Sequence, residues 1–183
     1  IGNYLNGCGF YETISVAFVD NSAASLFAST GIDEHLSVKD VSRKSVNLLR
    51  QSLVGSLLDV LKTNLNAKNT PCRIYELADT FIPITSGKIP VQNTKLSFVS
   101  DGDFRQLRGV IEALVKIFDK NAEAVFQPAD VVWAGAGAEI LVNGKVLGRA
   151  GLISGAVKDK FDFKDVNPCA AELDFSAFLD MWG

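Results

Sequence analysis

Histidine and methionine occur once each, and cysteine only three times, in a chain of 183 residues. A zinc site needs three or four closely spaced His or Cys ligands. The available ones, Cys8, His35, Cys72 and Cys169, are scattered, which speaks against a metal centre. No Cys-x-x-Cys pair occurs, and the odd cysteine number fits reduced thiols in a cytoplasmic protein, some of them buried as small apolar groups. Long apolar runs are missing too. Those around Phe118 and at Val131-Val132-Trp133-Ala134 fall far short of the ~20 residues of a membrane span, and no signal peptide is recognisable. Nor is there an excess of positive charge: 18 Lys+Arg face 21 Asp+Glu, a formal net charge of −3. A primary nucleic-acid surface usually needs a basic face, whereas Lys158-Asp-Lys160 and Lys164-Asp165 interleave opposite signs as a solvated face does.

What is present is apolar content. At 48% hydrophobic residues and small net charge, the chain is not disordered. A domain of this length buries on the order of 70% of its unfolded surface and needs no disulfide or metal to fold. The chain opens on Ile1 and its sole methionine is Met181, which suggests a single domain (residues 1–183) excised from a longer protein.

The periodicities predict alternating strands and helices. Ile1, Tyr4, Leu5 and Cys8 stand at i, i+3, i+4, i+7, so residues 1–8 read as a short helix, closed by Gly9. Residues 11–19 alternate, with Ile14, Val16 and Phe18 on one face, and read as a strand. Asp20 is placed to cap a short helix reaching Phe27. Residues 29–44 read as irregular and 45–50 as extended. In residues 52–68, Leu53, Leu57, Leu61 and Leu65 recur every four positions behind Ser52 as N-cap, and Pro71 blocks continuation. Residues 72–83 and 95–100 read as strands, with 84–94 as a loop between them. Residues 103–120 form a second long helix, capped by Asp103, with Leu107, Val110, Ile111, Leu114, Val115 and Phe118 as its stripe and Glu112–Lys116 as an exposed pair. Asn143-Gly144 between apolar runs predicts a hairpin. Residues 169–174 give a last strand and 175–182 a closing helix. The sum is an α+β fold, an antiparallel sheet flanked by helices.

Catalytic groups are few. Gly135-Ala-Gly137-Ala reads as a backbone turn and not as a phosphate loop, because a hairpin follows where a helix is required. There is no P-loop lysine motif and no nucleophile elbow. His35 has no motif around it and reads as a surface histidine. Glu76, Asp79 and Glu172 fall on or near strands. They read as one buried, hydrogen-bonded Glu with ordinary edge charges, the alternative being an acid–base pair. The leucine stripe and the apolar C-terminus (Phe175, Phe178, Leu179, Met181, Trp182) are enough to overfill one core, so a surplus would form an interface.

Five segments, in order, carry a family resemblance. They are Ile1-Gly-Asn-Tyr-Leu-Asn-Gly-Cys-Gly-Phe-Tyr-Glu followed by a strand ending in Phe18-Val19; Ser45-Val-Asn-Leu-Leu-Arg-Gln-Ser-Leu-Val-Gly-Ser-Leu-Leu58 with Asn64-Leu-Asn66; Arg73-Ile-Tyr-Glu-Leu-Ala-Asp-Thr-Phe81; Asp103-Phe-x-x-Leu-Arg-Gly-Val-Ile-Glu-Ala-Leu114; and Ala138-Glu-Ile-x-x-Asn-Gly-Lys-Val-Leu-Gly148 with Ala171-Glu-Leu-Asp-Phe175. Together they resemble the catalytic-like domain of the bacterial phenylalanyl-tRNA synthetase β subunit. The resemblance implies a class II aminoacyl-tRNA synthetase-like fold. It further implies a catalytically inactive domain that packs against the catalytic α subunit in an (αβ)₂ heterotetramer. ATP and Mg would belong to the holoenzyme and no cofactor to this piece; a second β subunit is a partner, and tRNA(Phe) binds mainly through modules elsewhere. The sequence departs from a working class II site. Ile82-Pro83 follows Phe81 where an ATP-gripping arginine would stand, and Glu172-Leu-Asp-Phe-Ser-Ala-Phe178 has neither the glycine run nor the arginine of the third motif. Glu34-His35-Leu36-Ser37 and Asp130–Gly137 also differ from the family's pattern. Arg50 and Arg73 remain and read as polar groups at strand ends. By the same analogy residues 1–19 lie at the subunit junction, with Tyr4, Leu5 and Phe10 as interface residues and Leu5→Glu as a substitution that weakens assembly. The competing reading is a stand-alone small-molecule-binding domain or enzyme using Glu76, Glu172 and Arg73 in a sheet-floored pocket.

Overall fold

The computed structural model describes residues 1–28, 34–38, 45–84 and 89–181. A seven-stranded sheet forms the middle layer. In chain order its strands are β1 (Tyr11–Glu12), β4 (Arg73–Ile82), β5 (Val91–Ser100), β6 (Ala124–Pro128), β7 (Ala134–Val142), β8 (Lys145–Ile153) and β9 (Cys169–Asp174). They lie side by side as β1-β4-β5-β9-β8-β7-β6. Every pair is antiparallel except β1 on β4, so the sheet is antiparallel with one parallel edge. Two further short strands, β2 (Phe18–Val19) and β3 (Leu48–Leu49), pair with each other beside it.

Helices cover both faces. α1 (Gly2–Gly7), α4 (Phe104–Phe118) and α6 (Phe175–Met181) sit on one side, where Leu5, Phe98, Leu107, Ile111, Leu114, Leu173 and Phe178 share a core. α3 (Val54–Asn66) and α5 (Gly155–Phe161) sit on the other, with Leu57, Leu58, Leu61, Val99, Trp133, Ile153 and Phe161. Alternation sorts β5 between the two: Leu96 and Phe98 point to the first core, Ser97 and Val99 to the second, and all four are buried. The leucine stripe of α3 and the stripe of α4 lie where their 3.6-residue period puts them. Asp103 caps α4 through the Arg105 N–H, and Asp20 caps the short α2 (Asn21–Ala24) through the Ala23 N–H.

Several expectations are corrected. Residues 11–19 are not one strand. Only their ends pair, and between them the Ser15 N–H donates to Oε1 of Glu76 at 3.0 Å, drawing the chain off the sheet edge. The apolar side of that alternation then faces outward, with Ile14 93% and Val16 69% exposed. The loop expected over residues 84–94 is shorter, because β5 begins at Val91 and pairs with β4 over ten rungs. Gly135–Ala138 is not a turn but part of β7: a Cβ on Gly137 would stand 2.7 Å from Val131 and 2.8 Å from the Ala129 carbonyl, so glycine is there for close approach. Glu112 pairs with Arg108 at 2.7 Å, not with Lys116. Strand β6 and helix α5 are unexpected. The first docks on α4 through Phe126, which meets Phe104 edge-on and lies under the Arg108 guanidinium at 5.0 Å. The hairpin is as expected: Asn143 and Gly144 take φ of 51° and 77° between β7 and β8. Most of residues 29–44, and Trp182, lie outside the described residues.

Candidate functional site

A polar rung crosses the sheet on the α3 side. Cross-strand register sets Glu76 opposite Ser97, Ser97 opposite Glu172, Glu172 opposite Arg149, Arg149 opposite Glu139, and Glu139 opposite Gln127. Directly paired residues point the same way, so this row is one feature. The sheet around it is largely apolar.

Its two buried-side glutamates, Glu76 and Glu172, do different work. Glu76 is buried with Arg50, whose Nη2 lies 3.2 Å from Oε1. Arg50 also donates to Ser15 Oγ at 2.7 Å and to the Asp79 carbonyl at 3.2 Å, and Ser15 Oγ donates to Oε2 of Glu76 at 2.6 Å. This knot ties the 11–19 segment and β3 to the sheet. Arg50 is therefore an interior anchor and not merely a polar strand end.

Glu172 serves a second junction. Its Oε1 accepts from the Leu53 N–H at 2.7 Å and from Ser52 Oγ at 3.0 Å. Leu53 occupies the N-cap position of α3, so the glutamate, and not Ser52 alone, satisfies the start of the leucine helix. Burial pushes the Glu172 carboxyl above its ordinary pKa, and the hydrogen bonds from Leu53 and Ser52 only partly oppose this. The sequence reading allowed one buried glutamate; the structure has Glu76 inside an ion pair and Glu172 at a helix start.

Beside Glu172 opens a cavity of about 310 Å³. Lys95, Arg149 and Asp174 floor it with Glu172; Gln51, Ser52, Phe27, Val131 and Trp133 contribute to its walls. Lys95 Nζ lies 3.0 Å from Asp174 and Arg149 Nη2 lies 3.4 Å from Glu139. Burial works against ionising Asp174, yet Lys95 and Ser176 outweigh it and the carboxyl falls below its ordinary pKa. Lys95, Asp174 and Arg149 were not singled out from sequence. Their signal was charge at the inward parity of otherwise buried strands, readable only once register was known.

The residues of the competing pocket are not assembled. Glu172 lines the cavity, but Glu76 is consumed by Arg50 and Ser15. Arg73 lies at the other end of β4 and donates to Gln106 at 2.8 Å. Asp79 accepts from Thr94 and Gln92, and those two hydrogen bonds hold its carboxyl below the ordinary range. His35 is half-buried. Among the described residues no group of His, Cys, Asp and Glu is placed to hold a metal ion, and no helix is long and apolar enough to cross a membrane.

Of the proposed interface residues, Leu5 and Phe10 are 0% and 3% exposed and belong to the first core; Phe10 packs edge-on against Phe98. Tyr4 is half-buried and donates to the Val110 carbonyl at 3.1 Å, and burial raises its phenol pKa. The outward apolar side chains of this region are Tyr11, Ile14 and Val16.

An antiparallel sheet with one parallel edge strand, helices on both faces and a polar cavity against one face is a class II synthetase-like architecture. Two solved structures of the pyrrolysyl tRNA synthetase of Desulfitobacterium hafniense share it, with TM-scores of 0.75 and 0.73 at 14% and 13% identity; each match covers 97% of this chain and 62% or 64% of the other. Residues 1–175 match the family model described as the phenylalanyl tRNA synthetase beta chain CLM domain, and the chain belongs to that family. Its relatives include the proteins named phenylalanine–tRNA ligase beta subunit of Neisseria gonorrhoeae, 28% identical over 97% of this chain, and of Syntrophus aciditrophicus, 26% identical over 98%. That of Bacillus thuringiensis subsp. konkukian is 25% identical over 90%. The chain spans about a quarter of the length of these relatives, 24% of the first two.

Proposed function

We propose that this domain is a catalytically silent, structural part of a phenylalanine–tRNA ligase β subunit, which supports the catalytic α subunit during aminoacylation of tRNA(Phe) in the cytoplasm. The observation that carries it is the commitment of the cations on the α3 side of the sheet to this chain's own acids. Lys95 is held by Asp174, Arg149 by Glu139 and Arg50 by Glu76. A nucleotide triphosphate needs guanidinium or ammonium groups directed at its phosphates. Cations engaged in this way are not directed at a triphosphate. In this reading ATP and Mg belong to the holoenzyme, the second β subunit completes the heterotetramer, and tRNA(Phe) is held mainly by other modules.

The apolar surface that supports docking is the outward side of the 11–19 segment, Tyr11, Ile14 and Val16, beside the half-buried Tyr4. Leu5 and Phe10 hold that segment from beneath. The test is co-purification of a tagged, full-length protein with its α partner. Wild type retains the partner, and the Ile14→Glu/Val16→Glu pair loses it while the domain stays folded. Undiminished assembly overturns this surface. Saturable micromolar binding of ATP or phenylalanine by the isolated chain of residues 1–183, seen by calorimetry, overturns the silent role.

A further inference from the structure

Within residues 11–19 the chain is turned the opposite way to its sequence pattern. Thr13, Ser15 and Ala17 are half-buried, while Ile14 and Val16 stand 93% and 69% exposed. An alternating stretch ordinarily turns its β-branched side inward, and a shift of one residue exchanges the two faces. What this stretch meets inside is not apolar. It is the buried pair Arg50 and Glu76, which Ile14 or Val16 would leave short of hydrogen bonds. Ser15 supplies what the pair needs. Its N–H donates to Oε1 of Glu76 at 3.0 Å; its hydroxyl donates to Oε2 at 2.6 Å and accepts from Arg50 Nη1 at 2.7 Å. On either side, the Thr13 N–H donates to the Tyr75 carbonyl at 2.9 Å and the Ala17 carbonyl accepts from the Arg50 N–H at 3.0 Å. We propose that Ser15 is a positioning residue for assembly: through Arg50 and Glu76 it selects the register that presents Ile14 and Val16 to the α partner.

This rests on the docking surface proposed above and says what sets it. A buried ion pair adds little stability over an apolar pair of like volume, so its contribution here is the choice of register. Arg50 stays fixed to β4 without Ser15, because its Nε donates to the Asp79 carbonyl at 3.2 Å and its carbonyl accepts from the Phe81 N–H at 2.9 Å. Loss of the Ser15 hydroxyl therefore releases residues 13–17 and not the strand beneath them.

The experiment measures retention of the α partner by the tagged, full-length protein, beside amide hydrogen exchange and circular dichroism. Ser15→Ala is expected to weaken retention about tenfold and to speed exchange of the residue 13–17 amides while the domain stays folded. Ser15→Thr keeps the hydroxyl and is expected to restore both. Arg50→Met/Glu76→Leu makes the interior apolar. It is expected to stay folded yet lose the partner, because Ile14 and Val16 then turn inward. A purely structural role for Ser15 would not separate folding from assembly in this way. Unchanged retention in Ser15→Ala, no rescue by Ser15→Thr, or full retention by the apolar pair overturns the proposal. So does a loss of retention that only follows unfolding. The Ile14→Glu/Val16→Glu pair tells the two readings apart. If it loses the partner while Ser15→Ala keeps it, the surface stands and the positioning role is overturned. If neither loses it, the surface is overturned and the positioning role with it.

Discussion

Arg50 and Glu76 form an ion pair inside the protein, 3.2 Å apart, with side-chain exposures of 4% and 3%. Ser15 closes the arrangement into a ring, accepting from Arg50 and donating to Glu76. Three stretches distant in sequence meet there. Removing one charge strands the other in a medium that solvates it poorly. Glu76→Ala is expected to cost about 3–5 kcal/mol of unfolding free energy by urea titration, and Arg50→Met/Glu76→Leu together less than Glu76→Leu alone. A double variant as damaged as the sum of its singles would deny the coupling.

Glu172 imposes a pH dependence of defined sign. Its folded-state pKa is raised by burial, so the native protein binds this proton more tightly than the unfolded chain does. Stability is expected to fall as pH rises from the ordinary glutamate value through the raised one, and to level off above it. Thermal melts of Glu172→Gln should lack that decline and run above wild type on the alkaline side.

Leu5 and Ile14 separate folding from docking. Leu5 is fully buried, so Leu5→Glu tests the core and not the interface: it is expected to unfold the domain or to cost several kcal/mol. Ile14, 93% exposed, should accept glutamate within about 0.5 kcal/mol while assembly suffers. Circular dichroism melts beside co-purification distinguish the two effects.

The thiols should react in order of access. Cys8 is half-buried, whereas Cys72 and Cys169 are buried. Burial, then the Asp103 charge, pushes the Cys169 thiol up to about 12; burial and Asp101 raise that of Cys72. Iodoacetamide at pH 8 is expected to label Cys8 first and Cys169 only after unfolding, as peptide mass spectrometry would show.

Gly151 faces β7 at close range, with a Cβ there lying 2.5 Å from the Ala136 carbonyl and 2.8 Å from Ala134 Cβ. Backbone cannot yield as a flexible side chain does. Gly151→Ala is expected to lower stability by about 1–3 kcal/mol in denaturant titration, whereas Gly109→Ala, on the open side of α4, should be neutral or stabilising.

The sequence by itself determined the elements whose signals are local. Leucines every fourth residue defined α3, the Leu107–Val115 stripe defined α4, and Asn143-Gly144 defined the β7–β8 hairpin, because helical period and positive-φ tolerance are properties of neighbouring residues. The ordered segments also identified the family and the synthetase-like layer. Tertiary structure decided which alternating face turns inward. Residues 11–19 carry a strand's pattern, yet the buried Arg50–Glu76 pair takes Ser15 off the edge and leaves Ile14 and Val16 outside. It decided too that Leu5 and Phe10 are core, and that Glu172, Lys95, Arg149 and Asp174 share one floor. Those outcomes depend on cross-strand register between segments many residues apart, and register follows from the packing of the whole sheet.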